Sequence, residues 1–304
     1  MEQPRASLTA LGAALMRAAH TRLAAAPLID DPWGDRLVVQ REREAIRRVL
    51  LQSLTPDART RCESMGDDSA VLDAALQSHP GYGWAVLRTR YAEEALEMAV
   101  RHGVRQYVIV GAGFDSFGLR RPTFARQVDV FEIDHPTTQE LKRQRLEERG
   151  IPLPPTLHFT PADLSRESIS HALGRSAFRS EEPTFFSWLG VTQYLTRDAN
   201  LDTLHAIHSC SAPGSQLVFT YIDEAELGGS PTASGSGRLQ VAFASAREPW
   251  VSGFDPSLLE NELVAAGFRL VEDLDGVAIK QRYCPDRQDL LPMEKSHIAR
   301  GEVR

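Results

Sequence analysis

The chain has 304 residues, 42% of them hydrophobic, enough to bury a substantial core in one large domain or two small ones. Its 34 basic residues against 41 acidic ones leave a net charge of −7, which argues against a general nucleic-acid or anionic-membrane binder, since either needs a basic face. Three widely spaced cysteines, Cys62, Cys210 and Cys284, include no CxxC pair and suggest neither a disulfide framework nor a zinc site; with no apolar run of membrane-spanning length, the expectation is a cytoplasmic protein.

Residues 1 to about 103 read as a helical cap. Ser7 is the expected N-cap of a helix in which Leu8, Leu11, Leu15 and Met16 share a face. "DDPWGDRL" reads as a turn, "REREAIRRVLLQSL" and "SAVLDAALQSH" as helices, and "PGYG" (80–83) as a stop. A further helix, "WAVLRTRYAEEALEMAVRHG", ends at Gly103. The texture then changes. "QYVIV" (106–110) is short and nearly all apolar, as a strand buried on both faces of a parallel sheet should be. Further strands are expected over 127–134, 156–164, 184–191 and 215–223, with helical stretches between them. A lid insertion is expected over about 224–250, containing the flexible "GGSPTASGSG". A helix, a strand after Gly267 and a final edge strand at "VAIKQRYC" close the chain. Strand alternating with helix predicts an α/β, doubly wound, mostly parallel seven-stranded sheet over 104–304.

The first strand runs directly into Gly111-Ala112-Gly113, with Asp115 just beyond. Bare backbone at the carboxyl end of a parallel strand suits close ligand approach, although a tight strand-to-helix turn without a ligand needs the same residues. The dinucleotide fingerprint wants a third glycine where Ser116 stands, and the P-loop lysine and hydroxyl are missing too. Glu132 and Asp134 end the second strand about 20 residues on, where an acid accepts the hydroxyls of a ribose. Asp163 and Leu164 end the third strand, placed for an adenine edge; Asp163 as the N-cap of a helix near Ser165 is the plain alternative. Glycine turn, acid and Asp-Leu at three successive strand ends describe an adenosine site without a pyrophosphate clamp, and S-adenosylmethionine is the common cofactor of that kind. His135 follows Asp134 and could touch such a cofactor, or be a surface loop histidine.

"RTRY" (88–91), "VGAGFDSFGLRRP" (110–122), "VFEIDHPTTQELKR" (130–143), "ADL" (162–164) and "SWLGVTQYLTRDA" (187–199) follow one another in an order and spacing that resembles the leucine carboxyl methyltransferase family. The likeness is closest to its bacterial branch of S-adenosylmethionine-dependent O-methyltransferases, some serving polyketide pathways. It implies a class I methyltransferase-like Rossmann fold with an N-terminal helical cap. It also implies that Arg88 pairs with the carboxylate of the methionine part, Gly111 and Gly113 pass beneath it, Asp134 holds the ribose, and Asp163 with Leu164 holds the adenine. Without the resemblance, Arg88 reads as a solvated helix position beside Glu93 and Glu94. Relatives often carry a glutamate where this chain has Leu189, so no role is carried onto that position.

Methyl transfer asks the protein for alignment and desolvation rather than for a metal, and no His/Cys/Asp cluster with ligand spacing occurs. Tyr194, Tyr221 and Asp223 are the candidate catalytic groups at the ends of the fourth and fifth strands, needed as a base only if the acceptor is a hydroxyl. The expected partner is a small-molecule acceptor, a carboxylate or hydroxyl, with no nucleic acid and no membrane; a homodimer is left open. The competing readings are a carboxyl methyltransferase of a protein C-terminus, a non-catalytic cofactor-binding relative and an NAD-dependent oxidoreductase.

Overall fold

The computed structural model of the protein describes residues 7–164, 166–227 and 249–304. Seven strands make one sheet in the order β3-β2-β1-β4-β5-β7-β6. They are β1 Gln106–Val110, β2 Asp129–Asp134, β3 Leu157–Pro161, β4 Thr184–Trp188, β5 Gln216–Ile222, β6 Phe268–Asp275 and β7 Ser296–Val303. The first five pair in parallel, and β7 runs antiparallel between β5 and β6. The α/β doubly wound architecture is therefore present. All five residues of β1 are buried, as a short apolar strand at the centre of such a sheet requires. It lies between β2 and β4, so strand order reverses there, and open α/β sheets bind ligands beyond the strand ends at that point.

Alternation along β1 sends side chains to two cores. Tyr107 and Ile109 face one apolar cluster, Val108 and Val110 the other. The second is closed by α9 (Ile169–Gly174), α10 (Arg197–Ser209) and α11 (Leu259–Ala265), through residues such as Leu173, Leu204 and Leu263. The first is covered by α1 (Leu8–Leu23), α3 (Gln40–Ser53), α5 (Asp68–Ser78) and α6 (Gly81–Arg101), so Leu11, Ile46, Leu72 and Leu96 share a cluster with Tyr107 and Phe185. The apolar packing is thus continuous from the N-terminal helices into the sheet, with no break at residue 103. Ser7 caps α1 as expected, its Oγ accepting from Ala10 N at 3.1 Å. Two short helices add to those expected: α2 (Trp33–Leu37), where "DDPWGDRL" was read as a turn, and α4 (Pro56–Glu63), capped by Thr55.

The seventh strand is not where the sequence placed it. Residues 277–284 lie mostly in a helix, α12 (Gly276–Tyr283), because Asp275 caps it by accepting from Ala278 N at 2.7 Å. The closing strand is β7, whose alternation of buried and half-buried residues is that of an antiparallel strand. "PGYG" is also a helix start rather than a gap: α5 ends at Ser78, His79 is extended as the residue before a proline favours, and α6 begins at Gly81. Of the expected lid, residues 228–248, including "GGSPTASGSG", lie outside the described residues.

Candidate active site

The site begins where β1 ends. Gly111 and Gly113 take φ of +70° and +51°, left-handed values that strain any residue with a Cβ. The turn is tied to β2: Gly111 N and Ala112 N donate to Ile133 O at 2.9 and 3.0 Å, and the Asp134 carboxylate accepts from Gly113 N. Its other oxygen accepts from His135 N at 2.6 Å. Burial pushes the Asp134 carboxyl up, and these backbone donors oppose that push.

A cavity of about 330 Å³ opens over these strand ends. It gathers the turn, Asp115, Asp134 and Arg88, and it reaches Tyr194 and Tyr221. α1 forms its roof, with Ala10 set over the turn so that a Cβ on Gly113 would crowd it. Arg88 comes from α6 and lies against Gly190, where a Cβ would collide with its guanidinium. No hydrogen bond or ion pair joins Arg88 to another described residue, and burial, aided by the Arg17 charge, holds its pKa down at about 10.

Glu132 and Asp134, expected to act together on a ribose, are separated. Asp134 faces the cavity; Glu132 does not. Its enclosed carboxylate takes Lys142 Nζ of α8 (Pro136–Glu148) at 2.5 Å, and the same ammonium donates to Asp115 O at 2.6 Å. Glu132 thus braces the turn from outside the cavity. His135 is the N-cap of α8, its Nδ1 accepting from Thr137 N at 3.3 Å. Asp163 and Leu164 follow β3 and are not among the cavity-lining residues; Asp163 pairs with Arg166 at 3.4 Å. Nor does Asp163 cap the next helix, since Ser168 holds that position in α9.

Of the three candidate catalytic groups, Tyr194 lines the cavity beside Gln193. Tyr221 reaches it too, but its hydroxyl donates to Asp273 at 2.6 Å, and burial pushes that hydroxyl far above its usual range. Asp223 is not brought to the cavity: it accepts from Ala225 N at 3.0 Å and pairs with Lys295 at 3.2 Å. Sequence reasoning missed Arg17, which lines the cavity while donating to Asp31 Oδ2 at 2.7 Å and Phe114 O at 3.1 Å. It missed Lys142 as well. The signal for Lys142 was available in its three-residue spacing from Gln139 and Arg145, which are buried on the same face of α8. Among the described residues no group of three His, Cys, Asp or Glu side chains is placed to hold a metal, and no helix is long and apolar enough to cross a membrane.

Residues 10–208 match the sequence profile of the family described as Leucine carboxyl methyltransferase. The chain belongs to that family. It is, accordingly, a methyltransferase. The Bacillus subtilis (strain 168) protein YktD, named as a candidate S-adenosyl-L-methionine-dependent methyltransferase, is 31% identical over 294 residues, covering 96% of this chain and 95% of its own. Rv3787c of Mycobacterium tuberculosis (strain H37Rv), named likewise, is 34% identical over 253 residues, covering 81% of this chain and 73% of its own. Among solved structures, a candidate methyltransferase from Thermobifida fusca has a TM-score of 0.53 at 18% identity, covering 84% of this chain and 97% of its own. A DUF574 family protein from Streptomyces avermitilis has a TM-score of 0.54 at 12% identity, covering 85% and 97%. Identities this low show the fold alone, the α/β class I methyltransferase architecture described above.

Proposed function

We propose that this leucine carboxyl methyltransferase family member is an S-adenosylmethionine-dependent O-methyltransferase acting on a small molecule held in the cavity. The single observation that carries this reading is Arg88, an enclosed cation facing the cavity with no hydrogen bond or ion pair to another described residue. A guanidinium in that state is a ready fork for an α-carboxylate. The surrounding groups fit the rest of such a cofactor. Gly111 and Gly113 present backbone without side chains and Asp134 is set to accept ribose hydroxyls, while Asp163 with Leu164, at the next strand end and outside the cavity lining, is assigned the adenine edge on the family resemblance alone.

When bound, the cofactor supplies an electron-poor methyl carbon on a sulfonium, open to in-line attack. The chain's own residues orient and desolvate. Arg88 would hold the amino-acid end of the ligand and Asp134 its ribose, and the walls supplied by α1, α3 and α6 would keep water out. Tyr194 is the candidate that meets the acceptor. Tyr221 serves instead as a buried strut to Asp273, because a hydroxyl so strongly shifted and already donating cannot take a proton near neutral pH.

Calorimetric titration with S-adenosylmethionine, S-adenosylhomocysteine, NAD and NADP tests the assignment: only the first two should bind, and a labelled-methyl screen should find an oxygen acceptor. Asp134→Ala is expected to weaken S-adenosylhomocysteine binding by about 1.5–3 kcal/mol, the worth of a hydrogen bond to a charged group. An unchanged affinity would mean that another group holds the ribose.

A further inference from the structure

Asp115, just past the glycine turn, lines the cavity and is held from three directions. Its N–H donates to Ala112 O at 2.7 Å, its carbonyl accepts from Lys142 Nζ at 2.6 Å, and its Oδ1 accepts from Phe117 N at 2.7 Å. Backbone and carboxylate are thereby fixed before any ligand arrives. The second carboxylate oxygen, Oδ2, takes no hydrogen bond or ion pair from another described residue.

A ligand whose carboxylate sits on Arg88 sets the next requirement. In an α-amino acid the ammonium and the carboxylate share one carbon, so the two charges lie within about 3 Å of each other. The group that takes the ammonium must therefore stand near Arg88, because an ammonium drawn out of water without an acceptor is costly. Among the described residues the cavity lining has two carboxylates, Asp115 and Asp134. The charge of Asp115 acts on the Arg88 guanidinium and offsets part of the effect of burial, whereas Asp134 is not among the groups that do so. Asp134 faces the ribose in the present reading, with each of its oxygens already accepting one backbone N–H. At the end of β4, where Arg88 lies against Gly190, the lining is Leu189, Gly190 and Val191, which brings no acid.

Building on the methyltransferase reading, we propose that Asp115 Oδ2 receives the α-ammonium of S-adenosylmethionine and of S-adenosylhomocysteine, so that Arg88 and Asp115 together read both charges of the amino-acid end and select against a ligand that lacks the amino group. Each contact is a charge-assisted hydrogen bond in an enclosed place, the kind that discriminates most sharply. Arg88 and Asp115 are not bonded to each other in the free chain, so neither has to be released before the ligand docks. One cation and one anion on the wall also match a zwitterion without leaving a surplus charge inside. Asp115 is a binding residue here, and Lys142 and Phe117 N position it.

The test titrates the full chain calorimetrically at pH 7 with S-adenosylhomocysteine and with its des-amino analogue, in which hydrogen replaces the α-amino group. We expect the wild-type chain to favour S-adenosylhomocysteine at least tenfold, the worth of one hydrogen bond between charged groups. Asp115→Asn keeps an oxygen for Phe117 N and removes only the charge. It should weaken S-adenosylhomocysteine about tenfold and leave the des-amino analogue within about twofold, so that the preference collapses. Equal weakening of both ligands in Asp115→Asn overturns the proposal, because it would show that the residue acts by shaping the turn. Unchanged S-adenosylhomocysteine affinity in the variant overturns it too. Should the variant fail to fold, the wild-type ratio still decides: equal affinity for the two ligands means that no acid reads the ammonium. Failure of both ligands to bind the wild-type chain overturns instead the methyltransferase reading on which the proposal rests.

Discussion

Lys142→Met is expected to lower folding stability by about 3–5 kcal/mol, the usual cost of stranding one member of a buried ion pair. Lys142 and Glu132 are both almost completely enclosed, and the ammonium bridges Glu132 Oε2 and Asp115 O. Methionine fills most of the space but leaves a carboxylate with no cation and a carbonyl with no donor. The effect carries a pH signature. Burial pushes the Glu132 carboxyl up to about 7, against the pull of Lys142. An acid raised in the folded state stabilises the fold most below its ordinary value of about 4.5, and that contribution fades as the pH climbs through about 7. Without Lys142 the carboxyl rises further, so the deficit in urea unfolding should be larger at pH 8 than at pH 5. Glu132→Gln should flatten the wild-type slope over the same interval. Equal deficits at both pH values would show that the lysine acts through packing rather than charge.

Arg88→Met is expected to weaken S-adenosylhomocysteine binding by about 2–5 kcal/mol, because it removes a desolvated charge-assisted fork. Arg88→Lys should recover part of the loss, since a point charge keeps the attraction without the bidentate geometry. The ligand-free chain should lose no stability, and a gain is expected, because the wild-type guanidinium is a buried charge with no ion pair among the described residues and methionine carries no charge. That opposite movement of binding and melting temperature separates a binding residue from a folding residue. An unaltered dissociation constant would place the ligand's carboxylate elsewhere.

The legibility of this protein follows from which forces act locally. β1 and its glycine turn were readable because a nearly all-apolar pentapeptide and left-handed glycines leave few alternatives. Asp134 was readable as the acid at the end of the next strand. Glu132 was misread because its partner, ten residues on, sits in a helix whose buried face is made of Gln139, Lys142 and Arg145. Polar side chains that are inside look, in one dimension, like a solvated face. β7 was missed for a related reason: an antiparallel strand carrying His297, Arg300 and Glu302 has no apolar run to announce it. "VAIKQRYC" has strand-like composition, and the Asp275 cap decided for helix.

The shared apolar cluster that joins Leu11 and Leu72 to Tyr107 bears on how such an enzyme can be re-engineered. The helices that wall the cavity should therefore melt together with the sheet, so they are not a cassette. Transplanting residues 1–103 from a relative would carry half of one hydrophobic interior into a foreign complement. New acceptors are better sought by point changes at Val49, Trp84 or Met293, where the lining can vary while the interior behind it stays whole.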